Sequence, residues 1–117
     1  MNKNKIYHLS QCSTCKRILG NINSSSCELQ DIKQDAIQAK ELDAMAKIVG
    51  SYEKLFSRKA LKYRSLGLHL KTLSEKDYRK YILSEYTFLK RPIIQVGNQL
   101  FIGNTKEVLA AAKKALE

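Results

Sequence analysis

Apolar and polar positions alternate from Lys5 to Leu9, and the pattern breaks at Ser10-Gln11-Cys12-Ser13. That predicts a short strand ending in a turn. Cys15, Ile18, Leu19 and Ile22 then recur at helical spacing, and Gly20 to Asn23 supplies a stop. Ser24 to Ser26 reads as a turn. Cys27, Leu29 and Ile32 follow as one face of a second strand. Next comes a helix with Leu42, Met45, Ala46 and Val49 on one side, ended by Gly50. Ser57 is placed to cap a short helix carrying Ala60, Leu61 and Tyr63, which Gly67 stops. Leu68 and Leu70 open a connector. Ser74 and Asp77 have capping-box spacing ahead of a helix with Tyr78, Tyr81 and Ile82 inward.

The last third returns to strand periodicity. Pro92 directly precedes Ile93-Ile94-Gln95-Val96, and proline is tolerated at the start of a strand but not at its centre. Gly97-Asn98 is a tight turn, and Leu100 to Ile102 is the returning strand of a hairpin. Asn104 to Glu107 looks like a second capping box. The last helix then presents Val108, Leu109, Ala112 and Leu116 to the core. The order β, α, β, helical block, β, β, α makes this an α/β chain with a helical insertion at about 35–88. No repeat, linker or domain boundary interrupts it, so residues 1–117 are expected to form a single domain.

Composition narrows the class. With 44% hydrophobic and 27% charged residues the chain has the makings of a folded core, and 5 Gly and 1 Pro exclude fibrous and low-complexity classes. No apolar run approaches a membrane span. Lys3 and Lys5 lead into no long apolar stretch, so no signal peptide is expected. Three cysteines are too few and odd in number for a secreted disulfide framework. A cytoplasmic protein with reduced thiols follows, with no membrane partner. The net charge is +10. Between Glu53 and Arg91 eleven basic residues face four acidic ones, a local +7 that attracts anions. Zinc-finger spacing and aromatic RNA-recognition patterns are lacking, so direct DNA binding is not expected.

The chemistry concentrates in Cys12-Ser13-Thr14-Cys15-Lys16-Arg17, after one predicted strand and at the start of a helix. Two cysteines at this spacing can close a disulfide with little backbone movement. A cysteine at a helix N-terminus, with Lys16 and Arg17 nearby, is favoured as thiolate, the nucleophilic form. Cys12 is expected at the exposed turn. Cys15, on the face of Leu19 and Ile22, is expected to be buried. The asymmetry suits an attacking and a resolving cysteine. A zinc half-site and a pair of inert thiols are the other readings. Only Cys27, His8 and His69 could complete a zinc site, and none repeats the paired spacing. Cys27 reads as a strand core residue, and His8 and His69 as packing residues.

Taken together, Cys12-x-x-Cys15, the helical insertion with Gly50 and Ser57-Arg58-Lys59, and Lys90-Arg91-Pro92-Ile93-Ile94 before a hairpin resemble the ArsC/Spx family. These are the glutaredoxin-like arsenate reductases, the Spx regulators and their relatives. The resemblance implies a thioredoxin/glutaredoxin-like β-α-β…β-β-α sandwich with a helical insertion. It places the reactive thiol at Cys12, two oxyanion-binding arginines at Arg58 and Arg91, and a cis-proline at Pro92. Lys16 joins them as a substrate-side cation. The substrate implied is a small oxyanion or a disulfide. No bound cofactor or metal is expected. The implied reductant is glutathione or another external thiol, with glutaredoxin or thioredoxin as protein partners. Two departures stand out. Phe101-Ile102-Gly103 occupies the place of a third arginine, and Ser10-Gln11 replaces Asn-Pro before the cysteine. Cys15 matches the second Spx cysteine. The alternative is therefore an Spx-like redox switch that binds RNA polymerase.

Overall fold

A computed structural model describes residues 4–9, 13–21, 27–103 and 105–116. Two compact units emerge, one from residues 1–35 with 91–117, the other from residues 36–90.

The first unit is built on a four-stranded sheet. Its strands are β1 (Asn4–His8), β2 (Glu28–Asp31), β3 (Ile93–Val96) and β4 (Gln99–Ile102), in the spatial order β2-β1-β3-β4. β1 runs parallel to β2, with Ile6 opposite Leu29 and Tyr7 opposite Gln30. It runs antiparallel to β3, with Ile6 opposite Ile94. A parallel neighbour requires a crossover, and helix α1 (Ser13–Asn21) supplies it. The Gly97-Asn98 turn, with Gly97 at φ 61°, returns the chain into β4 with Val96 opposite Gln99. The last helix, α5 (Lys106–Ala115), packs against β3 and β4. Ile6, Ile94, Ala112 and Leu116 form the centre of this core, and Leu19, Cys27, Val96 and Phe101 pack around it.

The strands depart from the sequence pattern in two ways. Ile6, Tyr7 and His8 are all buried, although Lys5 to Leu9 alternates. β1 is a central strand covered on both faces, and such a strand need not alternate. In β2 the expected apolar face is not the buried one. Leu29 remains 49% exposed because β2 is an edge strand, while Gln30 is buried, its Nε2 donating to the Asp35 carbonyl at 2.8 Å. Ile32 lies beyond the strand and is buried there. The turn expected at Ser24 to Ser26 falls outside the described residues, as does Ile22.

The second unit is the helical insertion. Helix α2 (Ala39–Val49) buries Leu42, Met45 and Ala46 and ends at Gly50, whose φ of 103° is the left-handed conformation that glycine adopts without steric cost. A 3₁₀ turn (Glu53–Leu55) leads into an isolated antiparallel bridge between Phe56 and Leu89. The Ser57 amide donates to the Phe88 carbonyl at 2.7 Å. Ser57 is therefore not the cap of the next helix. That helix, α3 (Leu61–Ser65), is capped by Ala60 with no side-chain bond and buries none of its residues. Another 3₁₀ turn (Leu68–Leu70) follows, and then α4 (Glu75–Ser84) opens with the full Ser74/Asp77 capping box. Tyr78 and Ile82 of α4 are buried, and Tyr81 is half-buried. Phe56 is the hub of this unit. Its ring lies 5.1 Å from Phe88, 5.0 Å from Tyr78 and 5.9 Å from Tyr63, centroid to centroid.

The α5 start also differs from expectation. Thr105 is the cap, its hydroxyl accepting from the Val108 amide at 3.2 Å, and Asn104 lies outside the described residues.

Candidate functional site

Helix α1 begins at Ser13, the residue after Cys12 in the sequence. Cys12 itself, with Ser10 and Gln11, lies outside the described residues. What the structure does give is the surroundings on the helix. Cys15 sits in the first turn and is buried to 1% exposure, with Ile18 buried one turn further on. Lys16 and Arg17 are both exposed, on the side away from that stripe. No acidic residue occupies the first turn of α1, so nothing there opposes the partial positive charge of the helix start. Cys27 stands just ahead of β2 and packs on the sheet core as a half-buried side chain.

At the start of β3 the Arg91–Pro92 peptide bond is cis. Pro92 and the two isoleucines after it are buried, and Arg91 is half-buried. The Gly103 amide donates to the Pro92 carbonyl at 3.0 Å, which ties the end of β4 to this corner. Gly103 has a φ of 96° and Phe101 packs into the core. The segment that lacks a third arginine therefore lies beside Pro92.

Arg58 belongs to the insertion. Its Nη2 donates to Glu53 Oε2 at 2.7 Å and to the Tyr78 hydroxyl at 2.9 Å, and its guanidinium carbon is 5.6 Å from the Tyr78 ring centroid. The hydrogen bond to Glu53 holds the guanidinium above its ordinary pKa. This arginine is thus already neutralised within its own unit.

Sequence reading missed these partners because Glu53 and Tyr78 lie five and twenty residues from Arg58, neither at helical spacing within one element. It also missed a second polar cluster. Arg79 grips Asp43 with Nε at 2.8 Å and Nη2 at 3.2 Å, and the Tyr52 hydroxyl donates to the same carboxylate at 2.6 Å. Arg79, then Tyr52, lowers the Asp43 pKa, and Asp43 raises that of Tyr52. His8, at the end of β1, is 8% exposed, and its Nδ1 makes no hydrogen bond among the described residues. Among the described residues no three His, Cys, Asp or Glu side chains are grouped to hold a metal ion.

The model of the ArsC family matches residues 7–112. The chain belongs to the ArsC family. Solved structures agree with this ArsC-family chain in fold. A protein named YFFB superposes with a TM-score of 0.79 at 21% identity, over 95% of this chain and 99% of that one. An arsenate reductase from Vibrio cholerae gives 0.77 at 19% identity, over 95% and 98%. An arsenate reductase (ArsC) related protein from Brucella melitensis gives 0.71 at 22% identity, over 93% and 92%. No curated protein matches the sequence. The α/β architecture read from the sequence, a thioredoxin-like sheet carrying a helical insertion, is the fold of these ArsC relatives. Among the described residues no helix is long and apolar enough to cross a membrane.

Proposed function

We propose that this chain is a thiol-dependent reductase resembling arsenate reductase, with Cys12 as nucleophile and Cys15 as resolving thiol, working in the reducing cytoplasm. The observation that carries the reading is the start of α1 at the residue after Cys12, with Cys15 buried in its first turn. A thiolate at a helix start is stabilised by unpaired N–H groups and by the dipole. With a disulfide substrate, the Cys12 thiolate attacks one sulfur and releases the other as a thiolate. Cys15, once deprotonated, then attacks the Cys12 sulfur, releases the substrate sulfur bonded to it as a second thiolate and closes the Cys12–Cys15 disulfide. The pair has given up two electrons. Glutathione, glutaredoxin or thioredoxin returns them. With a small oxyanion, Arg91 next to Pro92 would neutralise the charge, as a planar fork suits an oxyanion. Lys16 would add long-range attraction. Arg58, engaged by Glu53, is the weaker candidate for direct contact.

The test is thiol oxidation by purified protein, with arsenate and with a small disulfide as separate oxidants. Cys12→Ser is expected to abolish both activities, and Arg91→Ala to weaken the arsenate reaction by roughly tenfold or more, about the worth of one charge-assisted hydrogen bond. Phe101-Ile102-Gly103 beside Pro92 contributes no cation, so the disulfide reaction is expected to be the faster. Equal rates in wild type and Cys12→Ser would end the proposal. The same missing cation favours a second reading, a redox switch. There the Cys12–Cys15 disulfide changes affinity for RNA polymerase, and turnover is absent while the disulfide still forms.

A further inference from the structure

The insertion carries a surface that the thiol chemistry does not use. Helix α3 buries no residue. Leu61 is 90% exposed, Leu66 53% and, in the following 3₁₀ turn, Leu70 81%. The two short elements are in contact, and the Tyr63 and His69 rings, 6.1 Å apart, join them. Three large apolar side chains thus emerge from residues 61–70. Single exposed leucines need no explanation, but three within ten residues, on two elements in contact, make this segment the candidate for a docking surface.

The charge around them is one-sided. From Lys54 to Ser74 there are six basic residues, Lys54, Arg58, Lys59, Lys62, Arg64 and Lys71, and no acidic one. The nearby carboxylates are engaged with other residues. Glu53 holds Arg58, Glu85 holds Lys62 at 2.8 Å, and Asp43 holds Arg79. Glu75 accepts from the Tyr52 and Glu53 amides. Lys59, Arg64 and Lys71 face solvent.

We propose that α3 and the turn after it form a docking site for an acidic protein segment. Its carboxylates would meet Lys59, Arg64 and Lys71, and its apolar side chains would cover Leu61, Leu66 and Leu70. Charge complementarity selects this occupant. A second copy of the chain carries the same net charge of +10 and would repel it. A nucleic acid would use the cations and leave the leucines wet. A lipid surface is disfavoured because α3 is a five-residue helix, too short to lie in a membrane interface as an amphipathic helix does.

The probe is a labelled synthetic helical peptide rich in glutamate, with leucines on one face, followed by fluorescence anisotropy. Its control has serine at every leucine. Anionic phosphatidylglycerol vesicles and a DNA duplex are measured alongside. The glutamate–leucine peptide is expected to bind at least about tenfold more tightly than the serine control. Leu61→Ser with Leu70→Ser is expected to weaken it about tenfold, and Lys59→Glu with Arg64→Glu to weaken it as much. These side chains are exposed, and circular dichroism of each variant checks that it stays folded. Absence of peptide binding, equal binding of the serine control, indifference to the leucine substitutions, or tighter binding to vesicles or DNA would each overturn the proposal.

Discussion

At the scale of single residues, burial separates the cysteines. Cys15 lies in the first turn of α1 and faces inward, whereas Cys27 packs against the sheet core formed by Ile6, Ile94, Ala112 and Leu116. Cys12 and Cys15 stand three positions apart in the sequence, with Cys15 already at a helix start, a separation a disulfide spans readily. Mild diamide oxidation is therefore expected to link Cys12 to Cys15 and leave Cys27 alkylatable after denaturation. Peptide mapping reads the outcome, and a Cys27 disulfide as the main product would contradict it. The burial of Cys15 was legible from the sequence because helix periodicity acts locally. The partners of Arg58 were not. Nothing in Ser57-Arg58-Lys59 announces that the guanidinium would turn to Glu53 and Tyr78, since that contact exists only once α4 is packed against the Phe56 region.

At the scale of elements, the Ser74/Asp77 box is a local signal that the structure bears out. Ser74 accepts from the Asp77 amide at 3.3 Å, and the Asp77 carboxylate accepts from the Ser74 amide at 2.9 Å, so both halves of the box are made. The Ser74 backbone, and then its hydroxyl, hold the Asp77 pKa below its ordinary value. Ser74→Ala removes one half and is expected to cost about 1 kcal/mol, the usual worth of such a cap. Urea unfolding followed by circular dichroism would measure it, and a change within about 0.3 kcal/mol would show that the box adds nothing to α4. Elements set by distant pairing were not legible. Phe56 pairs with Leu89 across thirty-three positions of sequence, and no periodicity marks either residue. Once that bridge forms, the Ser57 amide goes to Phe88, and the helix start moves on to Ala60. The edge position of β2 had the same effect on Leu29. The sequence marks it as apolar, but only the strand order tells that, among the described residues, β2 stands at the sheet edge.

At the scale of the whole molecule, acid is expected to act unevenly. Asp43, Asp77 and Glu85 all have pKa values held below the ordinary 3.8, 3.8 and 4.5, and all lie within residues 36–90. The first cause is Arg79 for Asp43, the Ser74 backbone for Asp77 and Lys62 for Glu85. A carboxylate whose pKa is lowered on folding lends stability above its unfolded pKa. That stability is lost as pH falls through the folded value, because the unfolded chain then binds more protons. The window therefore opens near pH 4.5, with Glu85, and extends below 3.8 as the aspartates titrate. Each contribution is small on its own, since these groups are close to solvent. The three act on one unit, however: Asp43 joins α2 to α4, Glu85 joins α3 to the end of α4, and Asp77 closes the start of α4. Tyrosine reports on this unit, because Tyr52, Tyr63, Tyr78, Tyr81 and Tyr86 belong to it, only Tyr7 lies outside, and the chain has no tryptophan. Between pH 5 and pH 3 the near-ultraviolet tyrosine signal is expected to fall, and amides of α2 and α4 to exchange roughly tenfold faster relative to those of Ile6 and Ile94. Replacing Asp43 with asparagine should flatten the low-pH part of that response. Equal acceleration of exchange in β1, β3 and the insertion would show that these three carboxylates do not set the acid limit of the fold.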